Sequence, residues 1–274
     1  MKILGKTVSY TLLLALAAFL MAPFVWMVLV SLHPSRQPIP TLENIVPPDP
    51  QWQNYKTVLF DLNLPVDRFF LNSVFVTFSV VILQLLITSM AAYAFARLRF
   101  KGKKPLFAVF LGSMMFAGPV TQIPVYLLLR SLGWLDTYYA LIVPGISSAF
   151  SIFLLRQFFS QIPYDLDEAA RMDGASHFSI YSRIIMPLSK PALATAAAFT
   201  FFGVWTDFFG PLIYTNSTEM RTLEVGLSIF KNSYGGSNWP LQMTAAVIVM
   251  LPLLVAFLFA QRYFVKGILL GGVK

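Results

Sequence analysis

LNSVFVTFSVVILQLLITSMAAYAF, residues 71–95, runs for 25 residues without one Asp, Glu, Lys or Arg. That exceeds the about 20 mainly apolar residues needed to cross a hydrocarbon core of about 30 Å. The part VILQLLITSMAAYAF is apolar on all sides, whereas a membrane β-barrel strand alternates apolar and polar residues over about ten positions. In lipid, a backbone of this kind satisfies its own N–H and C=O groups only as a helix.

Five further stretches have the same character: residues 10–32, 105–129, 137–155, 191–214 and 241–260. Asp207 is the one charged residue within them. Composition agrees, with 57% apolar, 15% aromatic and 12% charged residues, where a soluble domain carries about 25% charge. The fold expected is an all-α integral membrane protein of six transmembrane helices, a single domain over residues 1–274 with no Gly/Ser linker and no repeat. Cysteine is absent, which removes disulfides and thiolate metal sites from consideration. The run after Lys2 and Lys6 is longer than a signal-peptide core and is read as an uncleaved first span.

Lys and Arg concentrate on the cytoplasmic side of membrane proteins. With the N-terminus inside, that side carries Lys2, Lys6, Arg97, Arg99, Lys101, Lys103, Lys104, Arg156, Arg171, Arg183, Lys190, Arg262, Lys266 and Lys274, fourteen of the 20 cations. Both termini are then cytoplasmic. The net charge of +8 is a topology signal, and no nucleic-acid partner is expected because the cations do not form one stripe. Residues 33–70, rich in Pro, Asn and Trp, read as an ordered outer cap or short helix leading to the second span.

Between the fourth and fifth spans lies EAARMDGASHFSIYSRIIMPLSKP, residues 168–191. Pro163 begins a short helix to about Met172, with Asp165, Asp167 and Glu168 near the positive end of its dipole. Gly174 supplies the conformational freedom a helix end uses, and Phe178, Tyr181, Ile184, Ile185 and Leu188 then recur at spacings of three and four. The expectation is two short helices joined by a turn, lying against the inner membrane surface; on physics alone they are an interfacial pair resting on lipid headgroups.

EAA, two residues, DGAS, then Tyr181, Ile184 and Pro187 resemble the EAA motif of ABC-transporter permease subunits, the loop that docks into a cleft on the ATP-hydrolysing subunit. Met186 stands where that family usually has Leu, an exchange that keeps volume and apolar character. AYAFARLRFKGKK (92–104), VWTDFFGPL (204–212) and QRYFVKGILLGGVK (261–274) are similar to the carbohydrate-uptake branch, in particular its maltose-type six-span permease.

The resemblance implies a transport subunit without enzymatic activity or cofactor of its own, in a bacterial-type plasma (inner) membrane. ATP and Mg would sit on two partner ATP-binding subunits. A second permease, an external solute-binding protein that delivers a sugar, and membrane lipid complete the expected partners; the branch usually pairs two different permeases, and a homodimer stays open. Docking falls to Glu168, Ala169, Ala170, Asp173, Gly174, Ala175 and Pro187, with Glu168 as the charged contact. Lys266, Gly267, Gly271 and Gly272 form a tail that reaches the ATPase, while Tyr234, Gly235 and Gly236 lie in the loop toward the binding protein.

Asp207 in lipid costs about 2.5–3.5 kcal/mol at a helix centre, so it faces protein or a wet cavity, either as a pathway or gating residue or as a structural anchor. Trp205 and Thr206 beside it, and Gln84, Gln122 and Tyr214, are further pathway candidates, with interhelical hydrogen bonding as the alternative. Pro119 and Pro124 can open the third helix onto a cavity. Gly5-Lys6-Thr7 lacks the upstream glycine of a phosphate loop, and His33 and His177 have no ligand partner at metal spacing. The competing function is an ion-gradient-driven secondary transporter acting alone, which predicts midplane ionisable groups and paired repeats.

Overall fold

The structure, a computed structural model, describes residues 2–35, 40–41, 44–60, 65–116, 118–233 and 238–271. Its regular elements are all helical: α1 (Lys2–Ser31), α2 (Gln53–Phe60), α3 (Val66–Arg97), α4 (Lys103–Ser113), α5 (Gly118–Ser131), α6 (Tyr138–Ile142), a 3-10 turn (Val143–Gly145), α7 (Ala149–Gln161) and α8 (Asp165–Met172). There follow α9 (His177–Ile180), a π turn (Tyr181–Ile185), α10 (Met186–Leu188), α11 (Lys190–Trp205), α12 (Phe209–Tyr214), a 3-10 turn (Thr218–Met220), α13 (Leu223–Ser233) and α14 (Trp239–Gly271).

Among the described residues, Ser9–Ser31, Val66–Arg97, Tyr138–Gln161 and Trp239–Gln261 are long and apolar enough to cross a membrane. At 32 residues α3 is the longest of them, about 48 Å at 1.5 Å per residue. The third apolar stretch, read as one helix over 105–129, is instead two helices: α4 ends at Ser113 and α5 begins at Gly118, next to Pro119. The fifth, read over 191–214, is α11 and α12 with a break at Thr206 to Phe208. His177–Leu188 and Lys190–Trp205 meet at an 80° bend. Ser189 sits fully buried at that corner, and Pro191 starts α11 where its missing N–H costs nothing.

The chain forms two compact units. In the first, residues 1–69 with 223–252, the segment after α1 is held by side chains whose polar groups are buried. Asn54 donates to the carbonyls of Ser31 and His33 at 2.8 Å each, Thr244 donates to Ser31 O at 3.1 Å, and the His33 ring lies between the carbonyls of Leu29 and Asn44. The segment between α1 and α3 carries the short helix α2.

The second unit, residues 70–222 with 253–274, has its core at the Arg97 end of α3. Ala92, Tyr93 and Ala96 of α3 pack on Leu155 and Phe159 of α7, on Ile180, Tyr181 and Ile185, and on Ala192 and Ala196 of α11. Alanines on α3 and α11 let these backbones approach closely. Ile180 and Ile185 are fully buried, and truncating either to Ala would cost about 2–5 kcal/mol.

Candidate functional site

The α8–α10 segment is built on that core. Ala170 and Ala175 are half-buried against it, while Glu168, Ala169, Asp173, Gly174 and Pro187 are exposed. Gly174 has φ +77°, a left-handed conformation that lets its N–H reach Arg171 O and the Ala175 N–H reach Ala170 O, both at 2.9 Å. Ser176 then caps α9 by accepting from the Ser179 N–H.

The apolar face differs from the one the periodicity suggests. Tyr181 and Ile185 are buried as expected, but Phe178 is 67% exposed and Ile180 takes a core position. The π turn at Tyr181–Ile185 adds a residue to the register and rotates Phe178 away; Pro187, which lacks an N–H for the carbonyl four residues back, follows it. Tyr181 Oη lies 2.8 Å from Ser89 Oγ of α3. The segment is thus seated on α3, α7 and α11 through the face assigned to the membrane surface, and Phe178 and Met172 project outward at its tip.

Beneath α8 is a pair of charges that no spacing or motif in the chain connects. Arg97, the last residue of α3, is 3% exposed and Asp167 is 0% exposed. Arg97 Nε lies 3.8 Å from Asp167 Oδ2, its Nη2 donates to Ile162 O at 2.6 Å, and its guanidinium carbon stands 4.4 Å from the centre of the Tyr164 ring. Tyr164 Oη donates to Ala96 O at 2.8 Å. Neither Asp167 oxygen, nor Arg97 Nε or Nη1, has a hydrogen-bond partner among the described residues. Lys103 nearby donates to Leu98 O at 2.9 Å.

The pathway candidates separate. Gln84 is buried and donates to Ser151 Oγ at 2.9 Å, the interhelical role, and Trp205 packs on Phe201 and Phe70. Thr206 is exposed and bonds back to Phe202 O. Gln122, Asp207 and Tyr214 line one cavity of about 190 Å³ together with Val80, Pro144 and Gly145. Asp207 Oδ1 accepts from the Gly210 N–H at 3.2 Å, which starts α12, and a Cβ at Gly210 would come within 2.6 Å of Asp207 Oδ2.

Lys266, Gly267 and Gly271 fall on the last turns of α14, whereas Gly272, Tyr234, Gly235 and Gly236 lie outside the described residues. Among those described, no group of three His, Asp or Glu residues is arranged to hold a metal ion.

The sequence pattern of the family described as "Binding-protein-dependent transport system inner membrane component" matches residues 4–270. The trehalose/maltose transport system permease protein MalG of Thermococcus litoralis is 36% identical over 272 residues, covering 96% of each chain. The arabinooligosaccharides transport system permease protein AraQ of Bacillus subtilis is 35% identical over 254 residues, covering 92% of this chain and 90% of its own. A chain of a bacterial ABC transporter involved in the import of the acidic polysaccharide alginate superposes with a TM-score of 0.81 at 26% identity, covering 95% of this chain and 96% of that one. A chain from a bacterial alginate ABC transporter in complex with an alginate pentasaccharide-bound periplasmic protein shares the fold, with a TM-score of 0.65 at 14% identity and 94% coverage of each chain.

Proposed function

Since the chain belongs to the binding-protein-dependent transport system inner membrane components, we propose that it forms half of the membrane pathway of an ATP-driven importer for a sugar or oligosaccharide. As a permease subunit of an ABC transporter it resides in the inner membrane, and ATP hydrolysis belongs to a separate subunit. The substrate class rests on the relatives named for trehalose/maltose and arabinooligosaccharides, and an external solute-binding protein delivers the substrate. A second permease completes the pathway. The chain crosses the membrane six times with both termini in the cytoplasm, two of the crossings being the interrupted segments α4–α5 and α11–α12.

The observation that carries this reading is α8, whose Glu168 and Ala169 face outward while its other side is fixed to the core. Two ATP-binding subunits, holding ATP and Mg, dock there and on the paired permease. Small residues at Ala169, Ala170, Gly174 and Ala175 permit close approach, Met172 and Phe178 supply apolar bulk for a cleft, and Glu168 supplies the charged contact. Closure of the ATPase subunits then moves α8–α10 and, through them, the spans. Of the intramembrane polar groups, Gln122, Asp207 and Tyr214 line the route by which sugar hydroxyls pass.

Glu168→Lys in the assembled transporter tests the docking. The expected result is release of the ATPase subunits on purification and a fall of at least about tenfold in binding-protein-stimulated ATP hydrolysis. Intact assembly with intact transport would remove Glu168 and α8 from the interface.

A further inference from the structure

We propose that Arg97, Tyr164 and Asp167 form a latch that makes the end of α3 and the docking helix α8 move as one body, so that force applied at Glu168 is delivered to a membrane-spanning helix. The proposal rests on the reading of α8 as the ATPase-docking element. Three observations carry it.

The first is placement. Asp167 and Glu168 are neighbours on α8, so their side chains leave the helix about 100° apart. Glu168 is exposed and Asp167 is fully buried, which puts an outward charge and an inward charge on one helical turn. The inward one faces the terminal residue of α3, the longest of the candidate membrane spans among the described residues.

The second is energetic. Two charges removed from water are compensated only when good geometry and additional hydrogen bonds accompany their attraction. Here the closest approach of the ions is 3.8 Å, and both carboxylate oxygens and two guanidinium nitrogens lack hydrogen-bond partners among the described residues. A side chain pair of equal volume without charge would hold the fold at least as well. Charge at this position therefore fixes register, one arrangement of α8 against α3 that no sliding apolar contact specifies.

The third is multiplicity. The guanidinium is held at three separate points on the loop that includes α8: the Ile162 carbonyl before the helix, the Tyr164 ring at its start and Asp167 in its first turn. Tyr164 in turn holds Ala96, the residue beside Arg97. Displacement of α8 along any direction strains at least one of these contacts.

The test uses the complete transporter in proteoliposomes with its binding protein and compares Arg97→Met/Asp167→Leu with Asp167→Glu. The double variant removes both charges and leaves apolar side chains in their place. Expected are assembly yield and ATPase-subunit retention like the parent's, with substrate transported per ATP hydrolysed reduced about fivefold to tenfold, while Asp167→Glu, which keeps the carboxylate, retains at least about half of the parental ratio. A double variant with parental transport per ATP overturns the latch, as does an Asp167→Glu variant that couples no better than the double. A double variant that cannot be purified assigns the pair to folding and overturns the coupling role as well. Loss of ATPase subunits from the parent chain itself is a different result, and it would count against docking at α8.

Discussion

The two ends of α3 are both tied to distant parts of the chain, by opposite chemistry. At one end Asn72 donates to the carbonyls of Glu219 and Arg221 at 2.7 and 2.9 Å and accepts from Tyr138 Oη at 2.7 Å. At the other end Arg97 and Asp167 bring two full charges into the interior with one conventional hydrogen bond between them, Nη2 to Ile162 O. Asn72 and Arg97 are equally buried, at 3% exposure. A neutral amide with three partners returns more than its desolvation, whereas an ion pair with so few is retained at a cost in stability. The first end is a clamp, and the second is suited to transmitting displacement.

The largest effect expected from breaking this contrast is at the charged end. Asp167→Leu alone leaves the Arg97 charge buried without a counterion and costs about 3–5 kcal/mol, whereas Arg97→Met/Asp167→Leu leaves no unpaired charge and costs less, the remainder being about 1–3 kcal/mol for a larger side chain at residue 167. Thermal unfolding of the purified chain in detergent reads both. A harmless single variant would mean that the guanidinium finds another partner, and the contrast between the ends would disappear.

At the Asn72 end there is no such rescue. Asn72→Ala is expected to cost about 1–3 kcal/mol by leaving the Tyr138 hydroxyl and two carbonyls without their partner. Asn72→Asp is the sharper probe, because it turns a donor facing two carbonyls into an acceptor. It is expected to be more damaging than Ala in the same unfolding measurement, and the reverse order would show that the carbonyls are satisfied by water.

Much of this was legible in the chain. Uncharged runs longer than a bilayer's demand leave helix as the only choice, and Gly174 after a short acidic-headed helix marks the turn that the structure places there with φ +77°. Breaks inside apolar runs were less visible, since hydropathy is indifferent to whether Met114 to Phe116 continue a helix; the Gly118-Pro119 pair was the available signal. The Arg97–Asp167 pair was not legible. Arg97 reads as one of several cations after a span and Asp167 as one of three acids at a helix start, and only the packing of α3, α7 and α11 brings residues 70 positions apart into one pocket. Periodicity placed Tyr181 and Ile185 correctly but assumed 3.6 residues per turn across a segment that takes a π turn, which is why Phe178 was assigned to the wrong face.

The smallest effect expected is also at the Asn72 end of the unit, where Asp136 adopts φ +60° and its Oδ1 accepts from the Ser217 N–H, the Asn216 N–H and the Ser217 hydroxyl at 2.9–3.0 Å. Burial pushes this carboxyl upward, but the three hydrogen bonds and the Arg221 charge outweigh it and hold its pKa below the ordinary carboxylate value. The folded state therefore favours the ionised form. The stabilisation is fully present above the unfolded carboxyl pKa, about 4, and is lost as pH falls through the lower folded value. Asp136→Asn keeps an acceptor oxygen and tolerates the left-handed backbone, so it isolates the charge. The melting-temperature gap between parent and variant is expected to be present at neutral pH, to close on acidification below about pH 4, and to shrink with added salt because the site is near solvent. A gap that stayed constant through that range would mean that the clamp is made by hydrogen-bond geometry alone, and that fixed charge distinguishes only the Arg97 end of α3.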